Sequence, residues 1–564
     1  MMVYQSKELL YLKDLFRSFL HLIYKNLTTV YIVYYNCSVK VDDLMKTYGR
    51  TTLLANYTEK EILDAEANQN KLDEIIIKIL NNSLPLHNKN RIETLYLKAY
   101  YNGDQDIKYK EKHTREEINN IIVENWAYAC VDFKKTFLLG KPIQYVSLDD
   151  GENEEISQLN KYLKYEDKKA KDMEAYEDVL VCGRAFRYTN KDQKNPPDEA
   201  PFEIINCPVE DTEVVYSSSM RREQLLSYIV TDMEELIPSE NEKGVVIYNK
   251  HNYMEITVYL RNMQLVYSNK SGEFERVGEP IPILYNEHVI NEYYVNRKRI
   301  SLIEIGKDLF NQINNIESLN ADDLEQFVNA ILVFINAQVS GDELDQVKEL
   351  GAVSINSDEN KKASVELLQG TPNSANTQID YTRVLNALHQ ILGIPVSSEY
   401  GIESTGDTGK AKLTGQGYTS AGIRIEGDET MFARCDFNSL RVILNVCKNT
   451  PNSNIKDLKI SEIDSKFQRD MSDNLLVKTQ GLLNLYNADI PREFANSIVN
   501  LFSDPHAVTQ MQEKLFGKQV SQLQGKQTNA GLENGNSDFT KDVDKANEQN
   551  KTANNAEQMN LQGQ

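Results

Sequence analysis

Between residues 300 and 337, Leu302, Ile305, Leu309, Ile313, Ile316, Leu319, Leu324, Phe327, Ile331 and Phe334 recur three to five positions apart. No other stretch limits the fold as strongly. The spacing predicts a helix with an apolar face. Unbroken, it would run ~55 Å at 1.5 Å per residue. A helix of that length packs against others or spans the wall of a ring.

The regions around it change period. Thr58 stands as an N-cap before Glu59 and Glu61 and predicts a helix over Tyr57 to Asn81. Ile118, Ile121, Ile122, Trp126, Cys130, Phe133 and Phe137 predict a second helix, ended by Gly140 and Pro142. A third is expected from Ile156 to Leu180, stopping at Gly183. Residues 184–290 alternate in short runs separated by polar turns and read as one antiparallel sheet. Beyond the long helix, Gly341, Gly351, Gly370 and Pro372 punctuate an acidic stretch, and Val384, Leu388 and Ile391 mark a short helix from Ile379 to Leu392. Ser397 to Gly409 is a small-residue loop, followed by a helical stretch from Lys410 to Lys448. Gly415, Gly417 and Gly422 weaken its start, since each glycine costs ~1 kcal/mol relative to alanine in a helix. Further helical pieces cover 473–516, with a break at Ala488 to Pro491. The class is therefore α+β, mainly helical.

The two ends differ from the middle. Residues 1–44 are rich in Tyr, Leu and Phe and read as an atypical leader. Two readings stay open for it: an upstream extension with the native start at Met45, or an arm packing on a neighbour. Residues 519–564 have almost no large apolar side chain and read as a disordered tail. The best membrane-span candidate, Leu15 to Tyr35, is interrupted by Arg17, His21, Lys25 and Asn26.

Charge and motifs narrow the function. With 84 Asp and Glu against 62 Lys and Arg, the net charge is −22. That argues against gripping nucleic acid through a basic groove. An acidic protein could still surround DNA and leave it mobile. Cys37, Cys130, Cys182, Cys207, Cys435 and Cys447 have no metal spacing and read as reduced thiols. The seven histidines form no HExxH or HxH pattern. Gly406-Asp-Thr-Gly409-Lys410-Ala411 imitates a phosphate loop, but Ser404 and Ala411 break the G-x-x-x-x-G-K-[ST] pattern and no apolar strand leads into it. No catalytic residue, metal site or cofactor is expected.

Four segments, in order, bear a family likeness. NNIIVENWAYACVDFKKTFLLGKPIQY at 119–145 contains the turn Leu139-Gly140-Lys141-Pro142, and VCGRAFRY at 181–188 is a glycine-centred helix-to-strand junction. Residues 300–335 contain Asp322-Asp323-Leu324-Glu325-Gln326-Phe327, and STGDTGKAKLTGQGYTSA at 404–421 leads into a helix. Together they resemble the portal proteins of tailed bacteriophages, of the siphophage type.

The resemblance implies a layout and a role. Residues 45–299 would form the wing, 300–337 the stem helix, 338–378 the clip, 379–393 a second stem helix, 394–409 a tunnel loop, 410–450 a wing helix and 451–518 the crown. Subunits would close into a ring, a homododecamer, at one capsid vertex in the virion, assembled in the host cytoplasm. Leu309, Ile313, Ile316, Phe327, Ile331 and Phe334 would pack the stem. Asp342, Glu343, Asp345, Glu349, Asp358 and Glu359 would lie in the clip, which docks terminase and later the head–tail adaptor. Scaffold and major capsid proteins would be further partners. Ser397, Glu399, Tyr400, Gly401, Glu403, Gly406, Asp407 and Gly409 would line the DNA tunnel, with no sequence-specific contact. The alternatives are a head or connector protein without a DNA channel, or a packaging ATPase or nuclease.

Overall fold

The computed structural model describes residues 48–112, 118–148, 153–192, 199–240, 246–328, 331–335, 364–368, 374–395, 417–468, 475–488, 490–499, 508–512 and 514–515. The chain divides into a large unit, reaching residue 472, and a smaller one formed by 150–152 and 473–564. It is a mixed helical and stranded protein.

The large unit begins with β1 (Leu53–Ala55), α1 (Glu59–Ala65) and α2 (Gln69–Tyr101). Thr58 caps α1 through a full capping box with Glu61, so the sequence signal at this point is a real helix start. Next come α3 (Trp126–Leu139), β2 (Gln144–Ser147), α4 (Glu154–Tyr165) and α5 (Lys168–Cys182). The single helix expected over 156–180 is thus two. Asp167, at φ 49°, turns the chain between them, a conformation that aspartate tolerates better than most residues. Gly183 ends α5 at φ 85°, and a Cβ there would meet the Arg299 carbonyl oxygen at 2.0 Å, so no other residue fits.

The strands are β3 (Ala185–Lys191), β4 (Phe202–Cys207), β5 (Thr212–Ser217), β6 (Gln224–Glu240), β7 (Val246–Tyr259), β8 (Met263–Ser268), β9 (Glu275–Pro282) and β10 (Ile290–Tyr293). They build two sheets, not the one expected. The larger has the order β1-β5-β6-β7-β8-β9, with β1 parallel to β5; the smaller has the order β10-β3-β4. Strand β7 runs unbroken for 14 residues, longer than the short runs expected in this region. Leu72, Ile76 and Leu80 of α2 share a core with Leu226, Tyr228, Ile256 and Val258 of the larger sheet. A second core joins α3, α5 and the smaller sheet to α6 (Leu302–Val328), α7 (Ser374–Leu392) and α8 (Tyr418–Asn449).

Charged side chains tie these layers from within. Arg187 on β3 reaches Asp172 of α5 at 2.7 Å and Asp436 of α8 at 3.4 Å. Lys168 reaches the same two carboxylates at 2.7 and 3.1 Å. Tyr293 of β10 donates to Asp436 at 2.9 Å, and Tyr145 of β2 also donates to it. Two cations and two anions therefore neutralise each other in a buried site shared by five elements. Burial raises the Asp436 carboxyl, but Lys168 and Arg187 outweigh it and hold it below the usual range. Arg184 forks onto Glu213 at 2.6 and 2.7 Å, and Arg299 onto Glu292 at 2.7 and 2.9 Å. Arg50 bridges Glu93 of α2 and Glu304, whose carboxylate also closes the capping box with Ser301 that starts α6.

Four expectations need correction. The long helix stops at Val328, and Ile331 and Phe334 lie on β11 (Ile331–Ile335), paired antiparallel with β12 (Ser364–Leu368). Ile-Leu-Val-Phe-Ile is a β-branched and aromatic run whose short apolar pattern does not separate helix from strand. Residues 118–125 are not helical, and α3 starts only at Trp126. The helix expected from Lys410 starts at Tyr418, because Gly417 sits at φ 85° at its N-cap. Residues 451–468 belong to the large unit: β13 (Ile463–Lys466) pairs with β2, and Ile455, Leu458 and Ile463 are buried.

In the smaller unit, α9 (Leu475–Asn487) and α10 (Arg492–Val499) flank the break expected at 488–491. The Tyr486 hydroxyl donates to Asn496 at 2.5 Å and stitches one to the other.

Asp436→Ala removes one of two counter-charges from Lys168 and Arg187, so it should cost ~3–5 kcal/mol in urea unfolding. A loss below ~1 kcal/mol would show that the node is not a tie.

Acid should act through three further groups drawn away from water, buried His87 and half-buried His288 and Asp178. Burial, with Arg184 and Arg91, lowers His87 to about 3, and burial with Arg261 lowers His288 to about 4. Burial, opposed by Lys98 and reinforced by Glu210, raises Asp178 to about 7. From pH 7 to 5 the unfolded chain takes protons that the folded histidines refuse, a loss of ~2 kcal/mol each. Over the same window folded Asp178 takes a proton that the unfolded chain refuses, which restores ~2 kcal/mol. The Asp178→Asn variant should therefore lose stability more steeply between pH 7 and 5 than the parent. Parallel urea midpoints for the two proteins would refute this.

Candidate functional site

Helix α6 carries two different faces. One is buried in its own subunit: Ile303, Phe310 and Ile313 pack with Val384, Leu385 and Leu388 of α7. Gly306 allows the close fit, since a Cβ there would lie 2.7 Å from the Phe310 ring and 3.4 Å from Leu388. Further along, the buried face turns polar. Asn314, Ser318 and Asp322 are all buried, one helical turn apart.

These three side chains hold an extended strap at 118–124. The backbone N–H groups of Asn120, Ile122 and Glu124 donate to Asp322 (2.6 Å), Ser318 (3.0 Å) and Asn314 (2.9 Å). A strand rises 3.2–3.4 Å per residue, so every second residue advances about one helical turn. That match of pitches lets a helix side-chain row stand in for a neighbouring strand. It also explains why residues 118–125 are not helical. Lys112 adds an ion pair to Asp322 at 2.8 Å. Burial raises the Asp322 carboxyl, but Lys112 and Asn120 outweigh it and hold it low.

The strap ends at a joint around the chain's one tryptophan. Trp126 and Tyr381 of α7 both donate to Glu124, at 2.7 and 2.8 Å. The His389 ring meets Trp126 edge-on at 5.9 Å, and burial lowers its pKa. At the end of α7, Arg424 of α8 donates to the carbonyls of Gln390 (2.6 Å) and Ile391 (3.3 Å), two acceptors the helix leaves open. A Cβ at Gly417 would lie 3.9 Å from the Pro395 Cα. The chain therefore leaves α7 and returns to α8 at the same point.

The expected residues fall unevenly on this frame. Ile313 is buried, and Leu309 and Ile316 are half-buried against the core. Phe327 lies on α6, with its side chain outside the described residues. Ser397, Glu399, Tyr400, Gly401, Glu403, Gly406, Asp407 and Gly409 lie outside the described residues, as do Asp342, Glu343, Asp345, Glu349, Asp358 and Glu359. Sequence reasoning does not single out the row of Asn314, Ser318 and Asp322, although polar residues spaced by four inside an apolar pattern are a signal that could have found it. Among the described residues no cluster could hold a metal ion and no helix is long and apolar enough to cross a membrane.

Asp322→Ala should release the strap. Amide exchange at Asn120 should speed about fivefold or more, as a missing buried acceptor costs ~1–3 kcal/mol. Ser318→Ala should act mainly on Ile122. Unchanged exchange at both amides would refute the strap.

No curated protein matches the chain. The family described as phage portal protein, SPP1 Gp6-like, matches residues 81–524 of 564. That span starts within α2 and takes in the strap, α6, α7 and α8, so the chain belongs to the phage portal proteins, structural components of the virion capsid.

Proposed function

We propose that this portal protein closes into a ring of about twelve subunits at one capsid vertex and conducts double-stranded DNA inward during packaging and outward during ejection. The observation that carries this is the second face of α6. Ile305 and Leu319 are each 51% exposed, and with half-buried Leu309 and Ile316 they form an apolar stripe beside the buried face. On α7, Ile379 and Ile391 are also exposed. A stripe of that kind on a long helix suits the side of a neighbouring subunit. Two different faces meeting head to tail is the geometry that closes rings.

In this reading α6 and α7 are the stem helices, 338–378 is the clip, docking terminase first and the head–tail adaptor later, and 473–516 supplies the crown. The segment 397–409 faces the DNA. It lies between Pro395 and Gly417, whose backbones adjoin. Glu399, Glu403 and Asp407 would present negative charge to the phosphates at short range, so the duplex slides without being held. Scaffold and major capsid proteins are the remaining partners, and assembly takes place in the host cytoplasm.

Negative-stain images of the purified chain should show rings with a central channel. Ile305→Asp with Leu319→Asp should leave folded monomers, because burying each of these apolar side chains is worth ~1.5–3 kcal/mol per interface. Rings that survive this double change would place the interface elsewhere. Replacing Glu399, Glu403 and Asp407 by Lys should leave rings intact but impair packaging or ejection. Normal DNA content and normal infectivity would count against the tunnel assignment.

A further inference from the structure

Strands β6 and β7 pair for nine residues beyond the rest of their sheet, from Asp232 opposite Met254 to Glu240 opposite Val246. The β5 pairing stops at Ile229 and the β8 pairing at Glu255. The ribbon therefore runs about 30 Å beyond its paired neighbours, with its base touched by Arg91 on Asp232 (2.8 Å) and by Lys270 on Glu235 (2.6 Å). A two-stranded ribbon is marginal in water unless it packs on something. This one carries exposed Leu236 and Ile237, and between residues 232 and 254 it has five carboxylates against two lysines. Its own ion pairs, such as Glu234 with Lys250, are between exposed side chains and hold little.

From this we infer that the ribbon is an arm that seats on the β5–β6 turn of a second copy of this chain. That turn lies at the opposite end of β6. It presents a fully exposed Met220 beside exposed Arg221 and Arg222. Arg222 sits at φ 52°, in a left-handed conformation that glycine or asparagine would adopt more easily. An apolar knob flanked by two guanidiniums is the complement of a ribbon face on which exposed Leu236 stands beside exposed Glu234, two residues along the same strand. Both ends belong to one strand, so the contact repeats head to tail with a fixed geometry. The inference rests on the ring reading and names a contact that would lock neighbouring wings.

The test uses the full chain with paired cysteines, Met220→Cys and Leu236→Cys. Oxidation should give a ladder of cross-linked multimers ending at the ring, absent from either single variant. Separately, Arg221→Glu with Arg222→Glu should reduce the ring fraction at least tenfold, as should Glu234→Lys with Glu235→Lys. The four changes together should restore it. Rings that form normally without the cross-link, and ignore both reversals, overturn the arm and leave the ring reading standing. Rings that ignore the reversals while the arm variants fail to enter capsids overturn it too, since the arm then serves another protein. A parent chain that forms no rings overturns both readings.

Discussion

The neutral quartet of Lys168, Arg187, Asp172 and Asp436 is the constraint on which the large unit depends. Lys168 and Asp172 come from α5, Arg187 from β3 and Asp436 from α8, elements whose shared core is otherwise largely apolar, with Tyr176 to Asp428 (2.7 Å) as a further polar tie between α5 and α8. Apolar contacts tolerate sliding; a buried charge without its partner does not. The quartet therefore fixes the register of α8 against α5 and the smaller sheet. Tyr145 and Tyr293 extend the same requirement to β2 and β10 through hydrogen bonds to Asp436. A long helix such as α6, which shares its core with these elements, gains a fixed seat from that register.

Helix α6 itself is held by a different device. Arg50, Glu93 and Glu304 pin its start, and Asn314, Ser318 and Asp322 pin its middle through the strap. Hydrogen bonds thus replace hydrophobic packing where the helix leaves the core. This has a consequence for assembly. A helix gripped by polar groups on one side can leave apolar residues on the other without falling into the wrong intramolecular packing. In the proposed ring, that would leave Ile305 and Leu319, exposed on α6, free for a neighbouring subunit.

Much of this was legible in the sequence, but unevenly. Local signals read well: the Thr58 capping box and the Gly183 stop follow from the chemistry of single residues. Pattern signals read less well. Ile118, Ile121 and Ile122 have helical spacing, yet the backbone of their segment is claimed by side chains about two hundred residues away. Ile331 and Phe334 continue the helical count, yet a partner strand at 364–368 claims them. In both cases a distant hydrogen-bond partner overrode a local period, and no window of sequence contains that partner. The charged quartet was hidden for the same reason, since Asp172 and Asp436 look like surface acids until α5 and α8 meet.

The net charge of −22 gains its meaning from this arrangement. The cations that the structure buries among the described residues, Arg50, Lys168, Arg184, Arg187 and Arg299, are consumed inside the chain by Glu93, Glu304, Asp172, Glu213, Glu292 and Asp436. They are out of reach of phosphate, so an outer surface already short of basic residues has still fewer to offer DNA. In the proposed ring, neighbours would meet through exposed apolar side chains and the duplex would be repelled by charge. The two forces differ in their response to salt: screening weakens the repulsion beyond about a Debye length, ~8 Å at physiological ionic strength, while apolar contacts persist. In such a ring, assembly and conduction would be separable, and a rise in ionic strength should alter the passage of DNA well before it loosens the ring.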